Sequence, residues 1–189
     1  MIRNAVEQTI RDMPRVLIDT LTGRLYDKTQ QAAAFEELPI FDELRSSMTT
    51  GLDHARIRRE VKRFYRYVML SHRWQPNEPT FQMVENTSMY GLPASSANSK
   101  VQRFCELVRS LKFQWAWSDT CCVNQLDKGV QQESLVAMFR WYRGSSHHCP
   151  PPRCPVQVTG NRFSLEECLE HTWVDISRIR RFRGRPILH

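Results

Sequence analysis

Apolar residues change their spacing several times along this chain, and each change marks an element. His54, Ile57, Val61 and Phe64 recur at helical spacing, which predicts an amphipathic helix opening near Thr50, whose hydroxyl is placed to cap it. Tyr67-Val68-Met69-Leu70 is then continuously apolar, as in a strand buried on both faces, and runs straight into the polar Ser71-His72-Arg73-Trp74. The segment PNEP (76–79) breaks regular structure, and LPASSANS (92–99) reads as a small-residue loop. Val101, Phe104, Cys105, Val108 and Leu111 return to the spacing of a helix packed on one face. FQWAWSDTCCVNQ (113–125) reads as a second buried strand ending in a polar tip, and Leu135, Met138, Phe139 and Tyr142 mark a helix over 129–143. Residues 1–50 read as an irregular cap: a small hairpin around Thr22-Gly23 within 16–29, then a loop and a helical turn over 36–48.

Strand, helix, strand, helix is the order of a doubly wound parallel α/β sheet. In such sheets ligands and reactive groups gather beyond the carboxyl ends of the strands. The tips SHRW and SDTCCVNQ therefore share one rim on this reading.

Composition narrows the class. The 189 residues are 41% hydrophobic and 10% aromatic, ordinary for a folded domain. No run is apolar enough to span a bilayer, and MIRNAVEQTIRDM lacks the apolar block of a secretory signal, so a cytoplasmic protein is expected. The net charge of +7 raises nucleic acid as a partner. Its two densest runs, RIRREVKRFYR (56–66) and RIRRFRGR (178–185), lack the interleaved aromatics and glycines of an RNA-binding strand; the first reads as a solvated helix face, so nucleic acid is not the expected partner. Six cysteines in such a compartment are expected as thiols, with Cys105 and Cys121 acting as small buried hydrophobes. Cys149, Cys154 and Cys168 beside His147, His148 and His171 supply enough ligands for tetrahedral zinc, but CPPPRC is stiff where knuckles turn through glycine, so no metal is expected.

Both polar tips carry a family resemblance. YVMLSHRW (67–74) resembles the opening motif of the fungal heterokaryon incompatibility (HET) domain, and WAWSDTCCVNQLDKGVQQESLVAMFRWYR (115–143) resembles its central motif. The resemblance implies a fold similar to TIR domains, a flavodoxin-like sheet. It also implies a role in vegetative incompatibility: recognition of non-self followed by programmed cell death, through protein partners or self-association. No cofactor is implied. The resemblance to TIR domains opens an enzymatic alternative, an NAD-cleaving activity with NAD as substrate. A third alternative is a small zinc or nucleic-acid binding module.

The family's third motif, Arg-Gly-Trp-Thr-x-Gln-Glu, is absent, and Pro-rich text (GSSHHCPPPRCPVQ) stands where a strand is due. Read one base later, the codons allowed for HTWVDISR (171–178) permit TRGWTFQE, and those for SSHHCPPPRCPV (145–156) permit the apolar-containing PLTTVHLRGVR. The expectation is an incomplete domain: a leader over 1–50, the amino-terminal part of a HET domain over 51–143, and a frame-shifted, non-native tail over 144–189 that leaves the sheet with two strands.

Each candidate site residue has two readings. Ser71, His72 and Trp74 line the ligand or partner rim, or His72 is a structural histidine. Asp119 is a rim ligand or a turn cap, and Asn124 and Gln125 are rim groups or satisfy backbone groups at a turn. Glu133 interacts with the positive end of a helix dipole or, on the TIR analogy, stabilises an oxocarbenium-like centre as the catalytic carboxylate. Whether the protein is an enzyme stays open, since phosphate-cradling GxGxxG and GxxxxGK loops are both absent. Sequencing the transcript across the Arg143–Gly144 codons tests the tail: an inserted or deleted base is expected there, and an unshifted frame shared by related alleles defeats the expectation.

Overall fold

The computed structural model describes residues 1–47, 53–70 and 76–149, with backbone alone at 96, 97 and 147–149. In chain order these form α1 (Ile2–Arg11), β1 (Val16–Asp19), β2 (Leu25–Asp27), α2 (Lys28–Glu36), α3 (Pro39–Ser47), α4 (His54–Phe64), β3 (Tyr67–Leu70) and α5 (Phe81–Val84). A single 3-10 turn (Met89–Gly91), α6 (Ser96–Ser110), β4 (Trp115–Ser118), α7 (Asp119–Cys122), α8 (Lys128–Gly144) and β5 (His147–Cys149) follow. The strands make one five-stranded mixed sheet in the order β2-β1-β4-β3-β5.

The two apolar runs occupy its centre. All four residues of β3 and all four of β4 are buried, as continuous apolar character requires of strands covered on both faces. They pair in parallel from Tyr67↔Trp115 to Leu70↔Ser118, and β5 pairs in parallel with the other side of β3. The expectation of a wholly parallel, two-stranded sheet is corrected by the remaining strands. The β1–β2 hairpin runs antiparallel within itself and antiparallel to β4, through Ile18↔Ala116 and Asp19↔Trp115. A tight turn can only return the chain antiparallel, whereas parallel neighbours need a long crossover. The Pro-rich text is not strandless either, since β5 begins at His147; residues 150–189 lie outside the described residues.

Residues 1–47 are likewise not an irregular cap. The hairpin turn is built by Asp19, 2% exposed, whose carboxylate accepts from the Leu21 and Thr22 amides, the Thr22 hydroxyl and the Gln114 side chain. Gly23 sits at φ 71°, and a Cβ there would lie 2.7 Å from Ser88 Oγ and 2.8 Å from the Tyr90 ring. The 3-10 segment closes on this turn, with Met89 N donating to Gly23 O at 2.7 Å and the Tyr90 hydroxyl to Thr20 O at 2.6 Å. Packed in this way, the Tyr90 phenol has its pKa pushed up to about 12, chiefly by burial. α2 escaped a periodicity reading because its buried face consists of Gln31 and Phe35 rather than an apolar stripe. The Gln31 side-chain nitrogen donates to Tyr26 O at 3.0 Å, and the backbone carbonyl of the same residue accepts from the Tyr65 hydroxyl at 2.9 Å.

Two local expectations also shift. α4 is capped by Asp53, whose side chain accepts from Arg56 N at 2.8 Å; Thr50 lies outside the described residues. In α8 the sequence pattern picks Leu135 and Phe139 for the core, yet they are 59% and 44% exposed, while Trp141 is 7% exposed and Ser134 is buried.

Strand alternation explains which helices lie where. Trp115 and Trp117 point to one face of β4, where Trp115 meets Phe64 of α4 at 5.6 Å and Trp117 meets Trp141 of α8 at 6.0 Å, both edge-on. The alternate residues, Ala116 and Ser118, are small and leave room on the other face for α6, whose Val101, Phe104, Cys105 and Val108 are buried. α8 is locked by a second contact, the Tyr67 hydroxyl donating to Trp141 O at 2.6 Å.

Burial raises the pKa of the Tyr65 and Tyr67 phenols, which the unfolded chain would release near their ordinary value of about 10. Stability from these two groups is therefore complete below about pH 10 and falls as the pH rises through it towards the folded pKa values. Denaturant midpoints measured from pH 8 to 11 are expected to drop steeply above pH 10. Tyr67→Phe should cost about 1 kcal/mol at neutral pH through the lost bond to Trp141 O and should flatten the alkaline drop; an unchanged slope would contradict the burial of this phenol.

Candidate functional site

The rim is formed where β3 and β4 stop together. Leu70 and Ser118 are register partners and the last residues of their strands, so the chain after each leaves the sheet at the same edge. After β4 it turns at once into α7, a single turn opened by Asp119. The turn is braced from within: Ser118 Oγ and Thr120 Oγ1 are 2.9 Å apart, and Ser118 N donates to Cys122 Sγ at 3.5 Å. Beyond the extended Val123, Asn124 Oδ1 accepts from Leu126 N at 3.1 Å and from Gln82 Nε2 at 2.7 Å, fastening the loop to α5. Asp127 then caps α8 by accepting from Val130 N at 3.1 Å.

Behind this loop lies a cavity of about 200 Å³. Trp117 and Trp141 wall it, Ser134 and Cys122 reach it from α8 and α7, and Asn124 and Asp127 close the loop side, with Arg15 and Glu85 at the mouth. This is below the roughly 300–1,000 Å³ usual for a small-molecule pocket. It accommodates one inserted side chain or the end of a ligand.

The candidate residues separate on this geometry. Asn124 lines the cavity, and Gln125 beside it is half-buried. Asp119 is half-buried at the start of α7, with Oδ1 turned inward. Asn124 does satisfy a backbone amide, as one reading of it holds, and in addition ties two elements together. Glu133 stands apart. It lies in the second turn of α8, 77% exposed on its side chain, 3.7 Å from Arg15, and faces an adjoining groove instead of the cavity. Ser71, His72 and Trp74 lie outside the described residues.

Glu78 was overlooked in the sequence. Its carboxylate is 4% exposed on the segment after β3 and ion-paired with Lys100 of α6 at 3.3 Å. The available signal was a lone carboxylate between two prolines, Pro76 and Pro79, which reads first as a structure breaker. Ser134 was equally silent, because a serine amid apolar residues carries no periodic information.

The thiols at the site are inert by placement. Cys105, Cys121 and Cys122 are all buried and free. Burial, reinforced by the neighbouring Cys121, holds the Cys105 and Cys122 thiols well above their ordinary pKa. They stay protonated at neutral pH and fill space as small hydrophobes. Among the described residues no group of three or more His, Cys, Asp or Glu could hold a metal ion; the cysteine–histidine cluster of the tail, with the side chains of His147, His148 and Cys149, lies outside them.

Peptide mapping after a short alkylation pulse tests this placement. Cys105, Cys121 and Cys122 should remain unlabelled in the folded protein and become labelled in denaturant; rapid native labelling of Cys122 would mean a reactive thiol at the cavity.

Among the described residues no helix is long and apolar enough to cross a membrane. Residues 67–150, which contain both strand tips, match the family model of the heterokaryon incompatibility protein (HET). The chain is 35% identical over 99 residues to the vegetative incompatibility protein HET-E-1 of Podospora anserina, a match covering 49% of this chain and 6% of that relative's length. No solved structure matches. The segment that builds the parallel strands, the rim and the cavity is thus the segment in which the chain is similar to the heterokaryon incompatibility (HET) family.

Proposed function

We propose that the chain acts in vegetative incompatibility, as the module that passes non-self recognition on to programmed cell death from the cytoplasm. The observation that carries this is the match of residues 67–150 to the family, together with the likeness to a vegetative incompatibility protein over half of this chain. Because the chain spans 6% of that relative's length, recognition and killing are assigned here to the family segment alone. The rim is its working surface: Asp119, Asn124 and Gln125, joined by Ser71, His72 and Trp74, meet a protein partner or a second copy. A cavity sized for one side chain, walled by two indoles, supports a protein contact over a diffusible substrate.

The same reading places the parallel half of the sheet in the doubly wound, TIR-like class. From β3 the chain crosses by α6 to β4 on one side, and from β4 by α8 to β5 on the other, with the two helices on opposite faces. That reversal is where such folds place their sites. The TIR likeness supports a second, enzymatic reading, cleavage of NAD with Glu133 as the carboxylate. Favouring it is the position of Glu133 in a groove of about 810 Å³ that shares Arg15, Ser134 and Trp141 with the cavity.

One experiment addresses both. Induced expression in fungal cells, scored for viability and cellular NAD, is expected to kill. Asn124→Ala, which releases the loop from α5, should reduce killing at least tenfold at equal protein level, while Glu133→Gln should kill as the parent does with NAD unchanged. NAD depletion by the parent that disappears together with killing in Glu133→Gln favours the enzyme; undiminished killing by Asn124→Ala defeats the rim.

A further inference from the structure

Outside the rim, the groove between the end of α1 and the outer side of α8 collects charge of one sign. Arg11 and Arg15 flank the α1–β1 connection, Lys28 opens α2, and Arg140 comes from the fourth turn of α8. Against these four cations stand two carboxylates, Asp12 and Glu133. Each is already engaged: Asp12 with Arg140 at 3.3 Å and Glu133 with Arg15 at 3.7 Å. Among the described residues Lys28 has no carboxylate in contact, and it donates to the backbone carbonyl of Arg11 at 2.8 Å. We propose that this groove is a binding site for a phosphoanion carrying at least two negative charges, the diphosphate group of a nucleotide-sized ligand.

Three features fit such a ligand. Among the described residues two cations are left over after the carboxylates are paired, enough to meet two of the negative charges of a diphosphate and more than a monoanion would neutralise. The cations come from three elements that meet here, so they converge on one space; a lone basic helix face would present a stripe. The volume of about 810 Å³ is within the range of small-molecule sites and larger than a bare phosphate needs. The Lys28 pKa is lowered, chiefly by burial; Asp12 opposes the shift and Arg15 and Arg140 add to it, so an anion placed among the three cations would favour the charged ammonium. Of these cations Arg15 alone also lines the cavity behind the rim, and the site stands whether or not NAD is cleaved.

Titration calorimetry and thermal melts of the full chain, with inorganic pyrophosphate, ADP and sulfate at matched ionic strength, test the site. Pyrophosphate and ADP are expected to bind and, at ten times their Kd, to raise the Tm by about 3 °C. Lys28→Gln with Arg140→Gln should weaken binding at least tenfold. Arg58→Gln with Lys62→Gln, which removes the same charge from the exposed basic face of α4, should change it less than twofold. Should the first pair fail to fold, Arg11→Gln with Arg15→Gln replaces it with the same expectation. Tighter binding of ADP assigns a nucleotide, and tighter binding of pyrophosphate assigns a free diphosphate; both support the site. An equal effect of sulfate, or equal weakening by the α4 variant, reduces the groove to general electrostatics and overturns it.

Discussion

Trp115 and Trp117 leave β4 on one face, both fully buried, and the helices of that face are arranged around their two indoles. Trp115 takes the edges of Tyr26 and Phe64, and Trp117 takes Trp141 and Tyr142. Aromatic pairs at these distances add stabilisation beyond area burial and favour tilted or edge-on geometry, so they fix orientation as well as proximity. The alternation of large and small residues in Trp-Ala-Trp-Ser then dictates the other face, where only Ala116 and Ser118 separate the strand from α6. Without the tryptophans, α4 and α8 lose the ring contacts that set their orientation on the sheet.

The site inherits this constraint. The cavity exists because Trp117 and Trp141 meet at an angle instead of stacking flush, and because Ser134, not a larger residue, faces them one helical stretch earlier. The loop closing it is held by hydrogen bonds at Asn124 and Asp127 that reach α5 and α8. The HET match spans this assembly from β3 through β5. The hairpin before it contributes by geometry: Asp19 and Gly23 shape a turn that the 3-10 segment clamps, and β1 covers the β4 edge that would otherwise lie open.

Charge follows a different logic from the core. The basic face of α4 reads as one solvated stripe, whereas the groove by α8 is assembled from residues 11 to 140 and is invisible to any local count of charge. Glu133 belongs to this second surface. Its exposure and its ion pair with Arg15 describe a solvated carboxylate, a different environment from that of the buried Glu78.

Continuous apolar runs and helical spacing were sufficient to locate β3, β4 and α6, because those residues are buried by their immediate neighbours and the pattern records that burial directly; spacing also located α8, although Leu135 and Phe139 lie exposed on it. That β3 and β4 end at one edge followed from the same order of elements, and the likeness to the family from the two motifs. Tertiary structure alone decided that the hairpin joins β4 antiparallel and that α2 buries Gln31, since both depend on partners far along the chain. It also decided which side of α8 turns inward. Leu135 and Phe139 have the right spacing, but the Trp117–Trp141 contact and the Tyr67 hydrogen bond to Trp141 O rotate the helix the other way. Periodicity records how often apolar residues recur, not which of two apolar stripes finds the better partner.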